Sequence, residues 1–485
     1  MLNKINWINL IIFIFAAVFF SLISFPNHYY FRTENLDFGM LNHALANFSE
    51  FKTNTFTCTP FDRDNHFLAD HFSPIMYLYI PFFYIFQDYA LLVVQIVTIL
   101  IGGWGVLKLS SLYFSKKGIQ SIILFHFFTL WGIVSALAVG FHNNVVGAML
   151  IPLLIYYYKK EKFLNVVLLS ILVLITKENM ALLLSPVLVS FIFWNKSRSW
   201  LQKLKFEIPL FIFSVLCFFM TLHLIMPWFN NGEKLGQMDH FKYLGDTTFD
   251  IIKAVISNPM EIIKLLYSNN SKMPLAEDMK FEFYQVLIFS GGLFLLRHPK
   301  FIIMIIPLLA QKFIIPKFEL WGINGHYSIE FLPILSYAII ESLALFKKYS
   351  VQLSIGCILI ISSLYINQKK LQLRHSKWYD SINYDIQDPR HFTSDLNVDD
   401  VYDALNLIPD HKIITTSSAL GSHLPNRKLL YHFPIIDDAE YIVLLKGNNY
   451  PLTLQEYTKK IEELLNSKEF ETIYNNDDVF VFKKR

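Results

Sequence analysis

The sequence predicts a mostly α-helical bundle of membrane-crossing segments with a small α/β domain at its C-terminal end. Three observations predict it. Of 485 residues, 54% are hydrophobic and 17% charged, against about 25% charged in a soluble domain. Mean hydropathy is +0.38. Long apolar runs recur through the first 366 residues and then stop. This composition excludes a disordered chain, a soluble multi-domain enzyme and a secreted disulfide scaffold. The net charge of +3 is small and dispersed, so no basic footprint for nucleic acid exists. Three cysteines, Cys58, Cys217 and Cys357, are too few for a disulfide framework. Cys217 and Cys357 lie in apolar runs and read as small buried hydrophobes.

The first apolar run is Trp7 to Phe25. It is too long for the core of a signal peptide, and Ser21-Leu22-Ile23-Ser24 is a poor cleavage site, so it reads as a retained transmembrane helix. Further runs follow at 89–111, 119–139, 143–158, 163–176, 179–194, 206–228, 283–297, 299–315, 328–346 and 350–366. Together they predict about eleven spans, several below the roughly 20 residues that a perpendicular helix needs. Lys108/Lys116/Lys117, Lys159/Lys160/Lys162, Lys196/Arg198/Lys203/Lys205, Arg297/Lys300 and Lys347/Lys348 all fall on the side of Lys4. The positive-inside rule makes that side the cytoplasm. The expected topology crosses the membrane many times, with the N-terminus inside. Loops 26–88 and 229–282 and the tail 367–485 then lie outside, leaving 1–366 as the transmembrane domain.

The tail is rich in charge and has no run able to span. Short β-like runs at Lys412–Thr416, Leu429–Phe433, Tyr441–Leu445 and Val479–Lys483, with helical patterns at 399–407 and 453–466, predict the outer α/β domain.

This topology gathers five polar clusters on the outer side. Glu34 and Asp37 precede apolar residues at helical spacing (Leu36, Met40, Leu41, Ala44, Leu45, Phe48). That pattern predicts an amphipathic helix on the membrane surface, with Thr33 as N-cap and the two carboxylates on one face. Such a pair can take a proton, hold a metal or stabilise charge on a sugar ring. It can also merely favour the helix dipole. Asp70-His71-Phe72-Ser73-Pro74 reads as a helix start with Ser73 as cap, where His71 could meet a phosphate. His142 stands with Asn143 and Asn144 at one outer turn, and Lys177-Glu178 at the next. A Lys-Glu pair at membrane depth is a functional candidate by default, although a snorkelling ion pair explains it equally well. His326 and Glu330 are four apart, on one predicted helical face. Loop 229–282 adds Glu233, Asp239, His240, Asp246 and Asp250, with an amphipathic stretch at Ile251–Leu266. It would cover a site, grip an acceptor or simply be solvated. The sequence holds no Walker loop, dinucleotide fingerprint, HExxH or CxxC pair. A divalent cation is open as cofactor, since Asp37, His71 and His142 form no unbroken ligand motif but folding could join them.

At these residues the chain resembles the domain-of-unknown-function 2079 family of bacterial membrane proteins. The matching stretches are Leu36-Asp37-Phe38-Gly39 with Leu41-Asn42 and Ala44, Asp70 to Ile75, Phe141-His142, Lys177-Glu178, and His326-Tyr327 before Pro333. They cover about residues 30–345, with weaker likeness in the tail. The chain departs in Phe38 for a usual Leu, Asn143-Asn144 for a usual Pro-Glu, and Asn179 for a usual Asp. That family is in turn similar to the C-type (GT-C) membrane glycosyltransferases, which carry an acidic residue on an interfacial helix of the first outer loop. The resemblance implies a donor sugar on polyprenyl phosphate, drawn from the membrane lipid, and an unnamed envelope acceptor. It implies Asp37 as general base, with Glu34 assisting. His71, Lys177 and His326, with His142 more weakly, would bind phosphate beside Glu178 and Glu330. A transporter or lipid flippase, or a non-catalytic envelope assembly protein, are the competing classes.

Overall fold

The computed structural model describes residues 6–52, 55–60, 65–232, 241–371, 380–427 and 429–485. Lys4, Asp62, Asp64, Glu233, Asp239 and His240 lie outside them.

Helix α1 (Trp7–Tyr29) is apolar on all sides and 23 residues long, about 35 Å at 1.5 Å per residue. Four helical stretches are long and apolar enough to cross a membrane: Trp7–Tyr29, Pro74–Ser110, Trp200–Phe229 and Tyr349–Lys370. The bent pair Lys117–Phe128 and Trp131–Ala138 makes a fifth if it is one span. The sequence reading of about eleven therefore meets four or five by length. The runs at 143–158, 163–176, 179–194, 299–315 and 328–346 form helices of 12 to 17 residues. The run 283–297 breaks at Gly291, whose φ is +103°. Apolarity alone did not reveal these breaks, because a helix packed inside a bundle is as apolar as a spanning one.

Many exposed residues of the long helices are apolar, including Phe15, Val18, Leu216, Ile358 and Ile361. A face of that kind suits hydrocarbon rather than water. Cys357 is exposed and Cys217 half-buried, so neither is the buried hydrophobe expected; Cys58 is buried.

Three further helices define the interior. After α2 (Met40–Ser49), α3 (Ala90–Ser110) packs along α4 (Asn143–Lys159). Small residues let the two backbones touch: a Cβ on Gly105 would lie 2.9 Å from the backbone nitrogen of Leu153. Gly105→Val is expected to force them apart and cost about 1–3 kcal/mol, read as a lower unfolding temperature in detergent.

Beyond α4 come α5 (Ala181–Trp194) and α6 (Phe331–Leu343). At the opposite end of α4, Lys159 and Lys300 both pair with Glu341, at 3.5 and 2.5 Å. The expected amphipathic stretch at Ile251–Leu266 is two helices, Thr248–Ser257 and Pro259–Leu265, broken where Pro259 cannot donate a backbone bond.

The C-terminal part is a five-stranded mixed sheet. Its strands are β1 (Ile414–Thr416), β2 (Leu430–His432), β3 (Tyr441–Leu445), β4 (Phe470–Asn475) and β5 (Val479–Lys484), in the order β2-β1-β3-β5-β4. β1 runs parallel to β2 and β3, while β5 is antiparallel to both its neighbours. Alternate residues of β3 enter two cores, as a period of two requires. Ile442 and Leu444 pack under α8 (Leu454–Leu465) with Tyr457 and Ile461. Tyr441, Val443 and Leu445 join α7 (Val398–Asn406) and a cluster that also holds Phe31, Phe38, Leu41 and Leu45. The sheet is therefore packed directly on the segment that follows α1.

That contact corrects the expected surface helix. Nine of the ten residues of α2 are buried. Asn42 donates to the carbonyls of Asp88 and Ser422, and the His43 ring meets the carbonyl of Arg427. The helical spacing of Leu41, Ala44, Leu45 and Phe48 reflects a seat between two protein layers rather than a membrane surface.

Candidate active site

The predicted polar residues come together at one end of the bundle, though not with the local geometry expected. Residues 33–39 are not the first turn of a helix. Leu36 has ψ 130° and Asp37 has φ 70°, ψ −83°, and regular helix begins at Met40. Thr33 caps nothing there; its hydroxyl lies 2.7 Å from Nδ1 of His28 and 3.0 Å from Oγ of Ser422. Glu34 and Asp37 consequently do not share a helical face. Glu34 accepts from Asn448 at 3.4 Å, in the C-terminal domain. Asp37 faces His142 of the bundle, Oδ2 to Nε2 3.9 Å. A non-glycine residue at positive φ and negative ψ is strained by about 1–3 kcal/mol and persists only where its surroundings impose it.

The surroundings here are tight. Gly39 is so close to Asn35 that a Cβ would come within 2.5 Å of its Oδ1. The Phe38 ring lies against Gly140, which has φ +88° and sits two residues before His142. The turn that aims Asp37 and the turn that aims His142 thus press on each other.

Gln95 holds the second turn. It is fully buried in the apolar α3, donates to the carbonyl of Gly140 at 2.6 Å and accepts from the His142 N–H at 3.0 Å. A buried glutamine in an otherwise apolar run was the available sequence signal, and sequence reasoning passed over it.

His142 is buried, and neither of its ring nitrogens has a hydrogen-bond partner. Its ring stacks on His326 with centroids 3.4 Å apart. His326 and Glu330 are not on one helical face, because 326–330 is a series of turns before α6. Asn144 joins them instead: its amide donates to Oε1 of Glu330 at 2.7 Å and to the carbonyl of His326 at 3.4 Å. Asn144 thus bridges two of the predicted site residues. Asn143 accepts from the Tyr79 hydroxyl at 3.2 Å.

Lys177 and Glu178 do not form an ion pair with each other among the described residues. Glu178 is buried and accepts from the Phe72 N–H at 3.3 Å, which pins the His71 segment. Lys177 is half-buried and makes no ion pair among the described residues. His71 leans back on its neighbour, Nδ1 2.9 Å from the carbonyl of Asp70. Ser73 does not cap the next helix; its hydroxyl is buried without a partner.

The electrostatics follow. Half of the Asp37 side chain, 52%, is open to solvent, yet protein crowds it on all sides, so it lies in a recess. Crowding pushes its carboxyl up. The polar contact and charge of His142, with the charges of His71 and Lys177, outweigh that and bring it down to about 2. At 3.9 Å the His142 contact is electrostatic rather than a formed hydrogen bond. Burial holds the His142 ring below its ordinary value, against the pull of Asp37. Burial does the same to His326, with His142 and Lys177 adding to it. Both rings are therefore neutral imidazoles near pH 7. Crowding around the solvent-open Glu34 raises its carboxyl against hydrogen bonds from Ser418 and Asn448.

These directions set an acid limit. The Asp37 carboxylate is favoured in the folded protein, so its contribution is present above its ordinary value of 3.8 and fades as pH falls towards 2. The stability gap between wild type and Asp37→Asn is expected to close between about pH 4 and 2, read as converging unfolding temperatures.

Three helices begin at this recess: α4 at Asn143, α5 at Ala181 and α6 at Phe331, and no side chain caps any of them. A Cβ on Gly147 of α4 would meet Met180 and Thr176 at 2.5 Å, so α5 starts against the first turns of α4. Converging helix N-termini carry partial positive charge and free N–H groups.

A family model described as predicted membrane protein (DUF2079) matches residues 27–480. The chain belongs to that family. No curated protein matches it. The family match takes in the C-terminal domain, which sequence reading credited with no site residue. Ser418 and Asn448 of that domain hold the loop of this DUF2079 member: Ser418 Oγ accepts from the Asn35 N–H at 3.2 Å, and Asn448 reaches Glu34. Both stand just past the C-terminal ends of parallel strands, the usual place for site residues in an open α/β sheet.

Proposed function

We propose that this protein transfers a sugar from a polyprenyl-phosphate donor to an acceptor hydroxyl, with Asp37 as general base. The observation that carries it is a carboxylate in a forced turn, half open to solvent, facing buried neutral imidazoles and a lysine with no ion pair among the described residues, where three uncapped helices begin. In the transfer, the acceptor oxygen attacks the anomeric carbon and the bond to the phosphate oxygen breaks. Asp37 takes the hydroxyl proton, and polyprenyl phosphate leaves with the electron pair. Lys177, His71 and His326 meet the departing phosphate, aided by the helix N-termini. His142 orients Asp37, and Glu34 acts from the side of the C-terminal domain. Such a protein would use a GT-C-like topology, with the recess and the C-terminal domain on the outer face of the bacterial inner membrane.

The low pKa keeps Asp37 ionised at neutral pH, and so able to accept the proton that becomes acidic as the new bond forms. A transporter is the less favoured class, because the polar groups cluster at helix ends rather than along a path through the bundle.

The test uses purified protein in liposomes with a panel of labelled polyprenyl-phosphate sugars and candidate acceptors, with and without chelator. Release of polyprenyl phosphate by wild type and not by Asp37→Asn is expected. Equal release by both, or none from any donor by folded protein, overturns the proposal.

A further inference from the structure

A second cluster lies outside this recess and draws on three distant parts of the chain. His28 is at the end of α1, Asp88 is just before α3, and His423 belongs to the C-terminal domain. Nε2 of His28 stands 3.1 Å from Oδ2 of Asp88, and Nδ1 of His423 stands 3.6 Å from the same oxygen. Both imidazoles are buried, and their rings stack with centroids 3.9 Å apart. Among the described residues, this is the trio of His, Cys, Asp or Glu whose ligand atoms all lie within 4.8 Å of one another. Asp37, His71 and His142 do not meet that distance.

From this geometry we infer a divalent transition-metal site, zinc by its donor set, that ties the C-terminal domain to the membrane bundle. Two imidazoles and one carboxylate suit zinc, and bonds of about 2.0–2.2 Å set tetrahedral ligand atoms roughly 3.3 Å apart. Two of the contacts already bracket that spacing. The two rings are parallel, so binding one ion requires them to turn toward it.

The outer contacts match the role. Thr33 holds Nδ1 of His28, which leaves Nε2 free to ligate. The Thr33 hydroxyl is itself fixed by Ser422, the residue before His423. Asn42 holds the carbonyl of Asp88. Nδ1 of His423, the nitrogen that faces Asp88, also lies 3.4 Å from the Tyr402 hydroxyl, while Nε2 is buried without a hydrogen-bond partner among the described residues. Asp88 keeps 23% of its side chain exposed, which provides an entry path and room for water as fourth ligand. The ion would clamp the segment between α1 and Asp37 against the C-terminal domain.

The test uses full-length protein in detergent, stripped with chelator and titrated with Zn²⁺ and with Co²⁺ as a visible probe. One equivalent per chain and a raised unfolding temperature are expected for wild type. Asp37→Asn is expected to bind the same amount. His423→Gln and Asp88→Asn are expected to lose at least tenfold in affinity and to show no thermal shift, while Thr33→Val loses about 10–100-fold. Wild type that takes up neither ion, or His423→Gln and Asp88→Asn proteins that both keep a full equivalent, overturns the inference. Should those variants fail to fold, the wild-type titration decides alone.

Discussion

Asp37→Asn is expected to lower sugar transfer by about 10²–10⁴-fold, the range for removing a general base, while the protein keeps its fold. Asparagine has the same shape and is among the few residues that tolerate positive φ. The strained turn at φ 70° should therefore survive. The amide can still meet His142, which burial keeps neutral. What is lost is the ability to accept a proton. Because Lys177, His71 and His326 are untouched, donor binding should change little, so kcat falls and KM stays. An unfolding temperature within a few degrees of wild type at pH 7 would separate this from a folding defect. A general fall in stability, with KM rising and kcat retained, would recast Asp37 as a structural residue.

The fold was legible where side-chain pattern follows backbone directly. β3 was read from Tyr441–Leu445 to the residue, and β1, β2 and β5 within one or two, because runs of β-branched and aromatic residues mark buried strands. β4 was missed. It is an edge strand with Glu471, Thr472 and Asn475, and a bulge between Thr472 and Tyr474 breaks its alternation. The bundle was legible as apolar, but breaks such as Gly291 leave no mark in hydropathy, and four or five of the eleven expected spans are helices long enough to cross by length alone.

The candidate site divides the same way. Residue types at helix ends pointed to Asp37, His142, Lys177 and His326, and the structure gathers them. Thr33 before two acids imitates a capped first turn, and nothing local announces φ 70° at Asp37. That conformation is imposed by Gly140, on which the neighbouring Phe38 ring packs, and by the C-terminal domain, both remote in sequence. His28, Asp88 and His423 are likewise far apart along the chain, so their meeting could be seen only in three dimensions.

Gln95→Leu is expected to be the most destabilising single change at the site, about 2–4 kcal/mol. The side chain fits the space, so its volume is not the cause. The cost comes from what it leaves behind in the fully buried interior. The carbonyl of Gly140, and that of Ala136 at 3.3 Å, lose their donor, and the His142 N–H loses its acceptor. A buried orphan group costs about 1–3 kcal/mol, and water has no ready access to repair it. The Gly140 turn would then relax and release the Phe38 contact that supports the Asp37 conformation. Activity should fall with stability, unlike Asp37→Asn, where the two separate. Thermal unfolding and donor turnover on the same preparation distinguish them, and an unchanged unfolding temperature for Gln95→Leu would mean that the turn stands without it.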